Sequence, residues 1–311
     1  MLLIETATVD KVMTWQRMVE AMKRGHVLGK PAIDDILLQQ KPDSILVRCA
    51  WIAGMGLAVK AATIFPGNAE RKPEIPTIQG HVMVFDKDTG AVTALIDAIP
   101  VTRWKTAGDS ALGCSILSRQ DSRHLLMVGA GTMAEPLVRA HISVRPGIER
   151  ITIWNRTRAR ADQVAGRLED LGRTVTVADS LEAAVRTADI VSAATMTLEP
   201  IIAGAWLRPG THLDLVGAYR LDMREADDEA MRRGRVFVDF RGTTIGHIGE
   251  IATPLRSGVI QESDIVGDLY DLVPGRCGRQ ADSDITIFKN GGGAHLDLMT
   301  SHAIIEAVRS D

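Results

Sequence analysis

At 311 residues the chain is too long for one ordinary hydrophobic core and suits two domains, and its 45% apolar, 24% charged composition is that of a soluble globular protein. A net charge of −3 with 4% aromatic residues supplies neither the basic surface nor the stacking platforms that a nucleic acid or membrane partner would need. Cys49, Cys114 and Cys277 are odd in number and far apart, which suits buried thiols in a reducing compartment rather than a disulfide frame or a metal site.

The N-terminus carries Glu5 and Asp10 and has no basic stretch leading into an apolar one, so no secretion signal is expected. No apolar run approaches the roughly 20 residues of a membrane helix, and the expected location is the cytoplasm. Val12, Trp15, Met18, Val19 and Met22 recur at helical spacing, with Asp10 as a candidate cap and Gly25 as a candidate stop. Four β-rich runs follow: Ser44 to Ala53, Gly56 to Phe65, Ile78 to Phe85 and Val92 to Ile99. The turn sequences Pro66-Gly67-Asn68 and Asp86 to Gly90 punctuate them, which predicts a mostly antiparallel α+β unit.

Near residues 117–122 the pattern changes. Short apolar strands at His124 to Ala130, Arg150 to Trp154, Thr174 to Val177, Ile190 to Thr195, His212 to Ala218 and Arg235 to Phe240 alternate with helical segments such as Glu135 to Val144 and Arg158 to Leu171. Such alternation predicts a parallel, doubly wound α/β sheet over 120–293. A final helix, Leu296 to Val308, follows three glycines and is expected to pack back on the first domain, which would then comprise 1–119 and 294–311.

Gly129-Ala130-Gly131-Thr132-Met133-Ala134 fits Gly-x-Gly-x-x-Ala directly after a strand and before a helix. The first glycine permits the tight turn, the second admits a pyrophosphate against the backbone, and the alanine lets helix and strand pack closely. Helix N–H groups then face the phosphates. The strand context makes this a dinucleotide site of Rossmann type, with Gly129, Gly131, Thr132 and Met133 as cofactor residues. At the end of the next strand, where NAD sites normally offer a carboxylate to the ribose, the chain has Asn155-Arg156-Thr157. A guanidinium there clamps a 2′-phosphate that a carboxylate would repel, so NADP(H) is expected over NAD(H).

Three cations stand out in the first domain. Arg48 and Lys60 interrupt apolar strands, and Lys105 sits at the entry to an apolar helix. A charge in a half-buried strand has to be paired, face a cleft or snorkel to solvent. Together the three suit an anionic substrate. Because desolvation favours a neutral amine, Lys60 is the expected proton donor.

The stretches Gly56 to Lys60, Thr63 to Asn68, Lys105-Thr106-Ala107, Gly129 to Ala134, Ala194 to Pro200, Phe237-Val238-Asp239, Gly249-Glu250 and Ile287-Phe288-Lys289 together resemble the ornithine cyclodeaminase and mu-crystallin family over nearly the whole chain. The resemblance implies a dimer built on the first domain, an active site between the two domains, and Arg48 and Lys60 acting on the substrate carboxylate or nitrogen. Where the family usually carries an arginine before Thr-Ala, this chain has Lys105. Cyclodeaminases carry an aspartate that aligns with Tyr219, a substrate-pocket candidate here, and its loss disfavours deamination.

The family's ketimine reductases reduce cyclic imines such as Δ1-pyrroline-2-carboxylate and Δ1-piperideine-2-carboxylate. That activity is the expectation, with Arg48 and Lys105 on the carboxylate, Lys60 at the nitrogen, and Thr106, Thr195 and Gly217 beside the cofactor. The alternatives are an ornithine cyclodeaminase, an alanine or opine-type dehydrogenase, and a non-catalytic NADPH-dependent ligand-binding protein. None of the eight histidines falls at metal-ligand spacing, and His247 and His295 are expected to be structural or solvated. Asp222, Asp227, Asp228 and Glu229 are expected to cap and open a helix.

Overall fold

The structure, a computed structural model, describes residues 1–73 and 75–311. It divides into two compact units, Met1–Lys105 with Gly293–Asp311, and Thr106–Gly292. The division falls inside a helix, Ala98–Leu117, where the sequence pattern places a boundary at that helix's end. A helix carries no local mark of a change of domain, because its backbone bonds run only four residues back.

In the first unit, β1 (Leu2–Ile4), β2 (Ala32–Gln40), β3 (Asp43–Ile52), β4 (Gly56–Ile64), β5 (Ile78–Phe85) and β6 (Val92–Asp97) form a sheet in the order β1-β6-β5-β4-β3-β2. Its neighbours are antiparallel except for β1, which runs parallel to β6. The sequence pattern marks β3 to β6 but not β1 and β2. The first is too short to show alternation, and Asp34-Asp35 breaks the second.

Two helices, α1 (Thr6–Val12) and α2 (Trp15–Val27), stand where the spacing predicts one. Thr14 rather than Asp10 caps α2, its hydroxyl accepting the Arg17 N–H at 3.2 Å. Gly25 lies inside α2 instead of ending it, and a Cβ there would stand 2.5 Å from the Met299 sulfur. That methionine belongs to the C-terminal helix, Ala294–Ser310, which packs on α2, β3 and β4 and is buried at every residue from Ala294 to Ser301.

Strand pairing sets Asp35, Arg48 and Lys60 side by side across β2, β3 and β4, on the face that carries the buried Ala58 and Ala62. Side chains alternate between faces. The opposite face therefore presents Leu3, Leu95, Met83, Val59, Trp51 and Ile36, with Leu3 66% and Trp51 57% exposed.

The second unit begins within α3 (Ala98–Leu117). Its strands are β7 (His124–Val128), β8 (Arg150–Trp154), β9 (Thr174–Val177), β10 (Ile190–Ala193), β11 (His212–Leu215), β12 (Arg235–Val238), β13 (Ile265–Gly267) and β14 (Thr286–Lys289). They pair in the order β13-β12-β14-β11-β10-β7-β8-β9, parallel throughout. Every residue of β7, β10, β11 and β14 is buried, as expected of a sheet covered on both faces. From β7 the chain adds β8 and β9 on one side and then crosses to β10 on the other, so the order reverses between β7 and β10. Helices α4 (Ala134–Val144) and α5 (Arg158–Gly166) follow the first two strands. Asp227 caps the helix Asp228–Arg233 as expected, accepting the Ala230 N–H at 2.8 Å. Among the described residues no helix is long and apolar enough to cross a membrane.

Candidate active site

In open parallel sheets, ligands bind at the carboxyl ends of the strands, where the strand order reverses. Here that point lies between β7 and β10, and the residues leaving those strands are Gly129 and Thr195. Gly129 has φ +107°, and a Cβ on it would stand 2.6 Å from the Ala194 carbonyl oxygen, so only glycine fits. Gly131 and Thr132 are exposed, and a Cβ on Gly131 would meet nothing within 4 Å, which leaves that side of the turn open. Met133 is the half-buried residue before α4, and the buried Ala134 opens the helix. An exposed glycine turn running into a helix N-terminus fits a pyrophosphate.

After β8, the Asn155 amide donates to the Thr157 carbonyl at 2.9 Å, which closes the loop on itself. Arg156 and Thr157 are exposed. Among the described residues the Arg156 guanidinium has no hydrogen bond or ion pair, whereas Arg158 is tied to Asp179 and Asp162.

The loops leaving β10 and β11 are clamped by a residue to which the sequence reading gave no role. The buried Glu225 accepts the N–H and hydroxyl of Thr195 on Oε1, both at 2.7 Å, and the Gly217 N–H on Oε2 at 2.6 Å. Gly217 comes so near that a Cβ would sit 1.9 Å from the Thr195 carbonyl. Glu250 in turn accepts the N–H groups of Glu225 at 2.7 Å and Ala226 at 3.0 Å, and Lys289 donates to the Leu215 carbonyl at 2.8 Å. Burial, with Glu250 adding to it against Lys289 and Thr195, pushes Glu225 up to about 7. Glu225 and the motif residues Asp239 and Glu250 all bear electrostatically on the buried Lys289. Thr106 accepts the Asn290 amide on its carbonyl at 2.9 Å. Tyr219, 54% exposed, lies beyond β11 beneath the Arg220 guanidinium and belongs to none of these buried groups.

In the first unit the three cations gather around a carboxylate that the sequence reading missed. Asp297, in the C-terminal helix, places one oxygen, Oδ1, 2.9 Å from the Lys60 ammonium and 2.9 Å from that of Lys105. All three residues are buried, and Asp297 Oδ2 has no hydrogen-bond partner among the described residues. Arg48 lies beside Lys60 in the strand register and donates to Asp35 Oδ2 through Nε at 2.9 Å and Nη2 at 2.6 Å. Burial alone would raise the Asp297 pKa, but Lys105, Lys60 and Arg48 together outweigh it and hold the carboxyl at about 2.

Burial brings Lys105 down to about 7, with Lys60 and Arg48 adding to the fall and Asp297 opposing it. It is Lys105, then, that carries the depressed amine expected of a proton donor. Losing Asp297 would strand buried cations, a cost on the order of 3–5 kcal/mol. An acidic residue inside the apolar run Ala294-His295-Leu296-Asp297-Leu298 was the signal available in the sequence. His295 is buried beside this cluster and held neutral by burial, while His247 is exposed. No group of three His, Cys, Asp or Glu among the described residues is arranged to hold a metal ion.

A parallel sheet with a glycine turn at its switch point, joined in one chain to a mixed-sheet unit with a buried cation cluster, defines a two-unit α/β protein of the Rossmann dinucleotide-binding class. The sequence profile of the ornithine cyclodeaminase/mu-crystallin family matches residues 38–311, and the chain belongs to that family. It is 51% identical to the Delta(1)-pyrroline-2-carboxylate reductase of Paracoccus denitrificans (strain Pd 1222), over 94% of this chain and 92% of that protein. The ketimine reductase mu-crystallin of Mus musculus is 31% identical over 81% of this chain and 76% of its own length. Among solved structures, the Delta(1)-pyrroline-2-carboxylate reductase of Thermococcus litoralis, in complex with NADH and L-proline, superposes with a TM-score of 0.91 at 28% identity, covering 100% of this chain and 98% of that one.

The Glu225 network sets a pH dependence of stability. The folded state holds this proton up to about pH 7, whereas an unfolded glutamate releases it near 4.5. This contribution to stability is present below pH 4.5 and is lost as pH rises through 7, at most on the order of 3 kcal/mol. Calorimetry of Glu225→Gln from pH 4.5 to 8 should show a flatter decline of Tm above pH 5 than the parent shows. Its Tm at pH 5 should be lower, because an amide accepts on one atom only. Parallel curves for the two proteins would exclude the raised carboxyl.

Proposed function

We propose that the protein reduces the C=N bond of a cyclic 2-imino acid such as Δ1-pyrroline-2-carboxylate to the amino acid, with NADPH preferred over NADH. The observation that carries the reading is the buried cluster of Arg48, Lys60 and Lys105 around Asp297. Such a cluster suits a small carboxylate whose nitrogen must take up a proton. The reductase from Paracoccus denitrificans, alike over nearly the whole chain, supports the substrate class.

The turn Gly129 to Met133 would hold the pyrophosphate, Arg156 and Asn155 would receive the 2′-phosphate, and Thr195, Gly217 and Thr106 would line the place of the nicotinamide. The reduced nicotinamide supplies the hydride for the α-carbon. Arg48 and the two lysines orient the substrate carboxylate, and one lysine ammonium delivers a proton to the nitrogen. Tyr219 stands where a cyclodeaminase would use an aspartate, so ammonia loss from ornithine is not supported. The three free cysteines suit a cytoplasmic, reducing setting.

Steady-state oxidation of NADPH with a panel of cyclic imino acids checks the reaction. Turnover with a five- or six-membered ring and none with ornithine is expected, while ammonia release from ornithine without imine reduction would remove the reading.

Arg156→Ala should weaken NADPH binding by about ten- to a hundredfold, the worth of a charge-assisted contact, and leave NADH binding within about twofold. Equal losses for the two cofactors, measured by fluorescence titration, would place the 2′-phosphate elsewhere.

We also propose a homodimer formed through the outer face of the first unit's sheet. Its apolar residues on all six strands, among them Leu3, Met83 and Trp51, form a broader patch than monomers normally expose. Sedimentation velocity should give twice the mass of one chain, and Val59→Arg, in the centre of that face, should give a monomer. A monomeric parent would refute the assembly.

A further inference from the structure

Resting on the imine-reduction reading above, we propose that Lys105 protonates the substrate nitrogen, and that Asp297 is the positioning residue that holds Lys105 and Lys60 in place from a single carboxylate oxygen. This exchanges the roles that the sequence suggests, where Lys60 meets the nitrogen and Lys105 the carboxylate.

The geometry is asymmetric in an informative way. Both ammonium groups lie 2.9 Å from Asp297 Oδ1, and Oδ2 has no hydrogen-bond partner among the described residues. A carboxylate that served only to neutralise two lysines would spread them over its two oxygens. Sharing one atom instead brings two like charges together inside a buried cluster, which favours release of one proton. Lys60 is anchored in the middle of β4, between Arg48 on β3 and Val82 on β5. Lys105 reaches in from a helix and also makes a weak contact with the Gly293 carbonyl at 3.4 Å.

The charged groups that act on the Lys105 proton, Asp297, Lys60 and Arg48, lie on three other elements, with His295 and Asp35 next to them. Asp297 and His295 lie on the C-terminal helix, Lys60 on β4, and Arg48 on β3 with its partner Asp35 on β2. His26 on α2 stands edge-on to His295, with ring centroids 6.0 Å apart, and burial keeps both imidazoles neutral. Two lysines therefore share Asp297 while Arg48 is paired with Asp35, and burial with the neighbouring cations brings the amine of Lys105 down to about 7, where it is half-protonated at neutral pH. A general acid works best with its pKa near the working pH.

In the step itself, the Lys105 N–H bond breaks and a new N–H bond forms on the substrate nitrogen as the α-carbon is reduced. The C=N π pair becomes the electron pair of that N–H bond. Lys105 is left as a neutral amine and regains its proton from water.

The test pairs a titration with kinetics. In protein labelled with 15N at the lysine Nζ, the Lys105 resonance, assigned by its loss in Lys105→Arg, should titrate near 7. In Asp297→Asn it should move at least about one unit lower, a tenfold loss of proton affinity, and Asp297→Glu should restore it. An ordinary midpoint near about 10, or one unmoved by Asp297→Asn, overturns the coupling.

In kinetics with Δ1-pyrroline-2-carboxylate and NADPH, the alkaline limb of kcat/KM should follow the same shifts. A merely structural role for Asp297 would lower the rate without moving the limb. Lys105→Arg keeps the charge that Asp297 needs, so the chain should fold, but an arginine cannot give up its proton. Its kcat should fall by about a hundredfold or more, with no limb near neutrality. A Lys105→Arg enzyme with the parent's rate and limb would overturn the proposal. Should the parent itself reduce no imine, the functional reading fails, and the titration still decides the link between Asp297 and Lys105.

Discussion

The first unit depends on one buried carboxylate. Asp297 draws the C-terminal helix, the middle of β4 and the end of the unit's N-terminal segment at Lys105 onto a single oxygen atom. Two lysines taken out of water on either side of it would be destabilising alone, and the pairing offsets that cost only while the geometry holds. Rather than cementing the core, such a cluster dictates which atoms must be where. The apolar contacts around it, Met299 over Gly25 and the alanines of β4, supply the general stabilisation.

The parallel unit reaches the same end with a different residue. Glu225 gathers Thr195 and Gly217, which leave two adjacent strands, onto its two oxygens, and Glu250 fixes the backbone of Glu225 in turn. Loops that leave a sheet are its most mobile parts, and a buried carboxylate accepting three hydrogen bonds gives them one conformation. Each unit therefore arranges polar groups around a carboxyl group that is itself shielded from solvent. Each bears on the titration of a nearby lysine, Asp297 on Lys105 and Glu225 on Lys289.

The cost of this design is visible in what is left apolar. With one face of the mixed sheet given to the charge cluster and its covering helix, the other carries aliphatic and aromatic side chains, of which Leu3, Ile36, Trp51 and Met83 are exposed. An apolar face crossing six strands is a strong drive to association.

Local chemistry was legible in the sequence. Gly129 to Ala134 sits between a strand and a helix, and only glycine tolerates φ +107° against the Ala194 carbonyl, so the dinucleotide turn and the parallel sheet followed from neighbouring residues alone. The β-runs and the cap at Asp227 followed in the same way, since hydrophobic period and capping act over a few residues. What stayed hidden depended on distance along the chain. The strands β1, β13 and β14 are too short, and β2 too interrupted by Asp34 and Asp35, to show a pattern. Glu225 carries no local mark of the loops it joins, and Asp297 shows only as an acidic residue within an apolar helix. Lys60 and Asp297 are 237 residues apart, and nothing local to either records the other. The sequence determined that Arg48, Lys60 and Lys105 are present; only the tertiary structure decided that they share Asp297, because a buried charge takes its properties from neighbours that folding supplies.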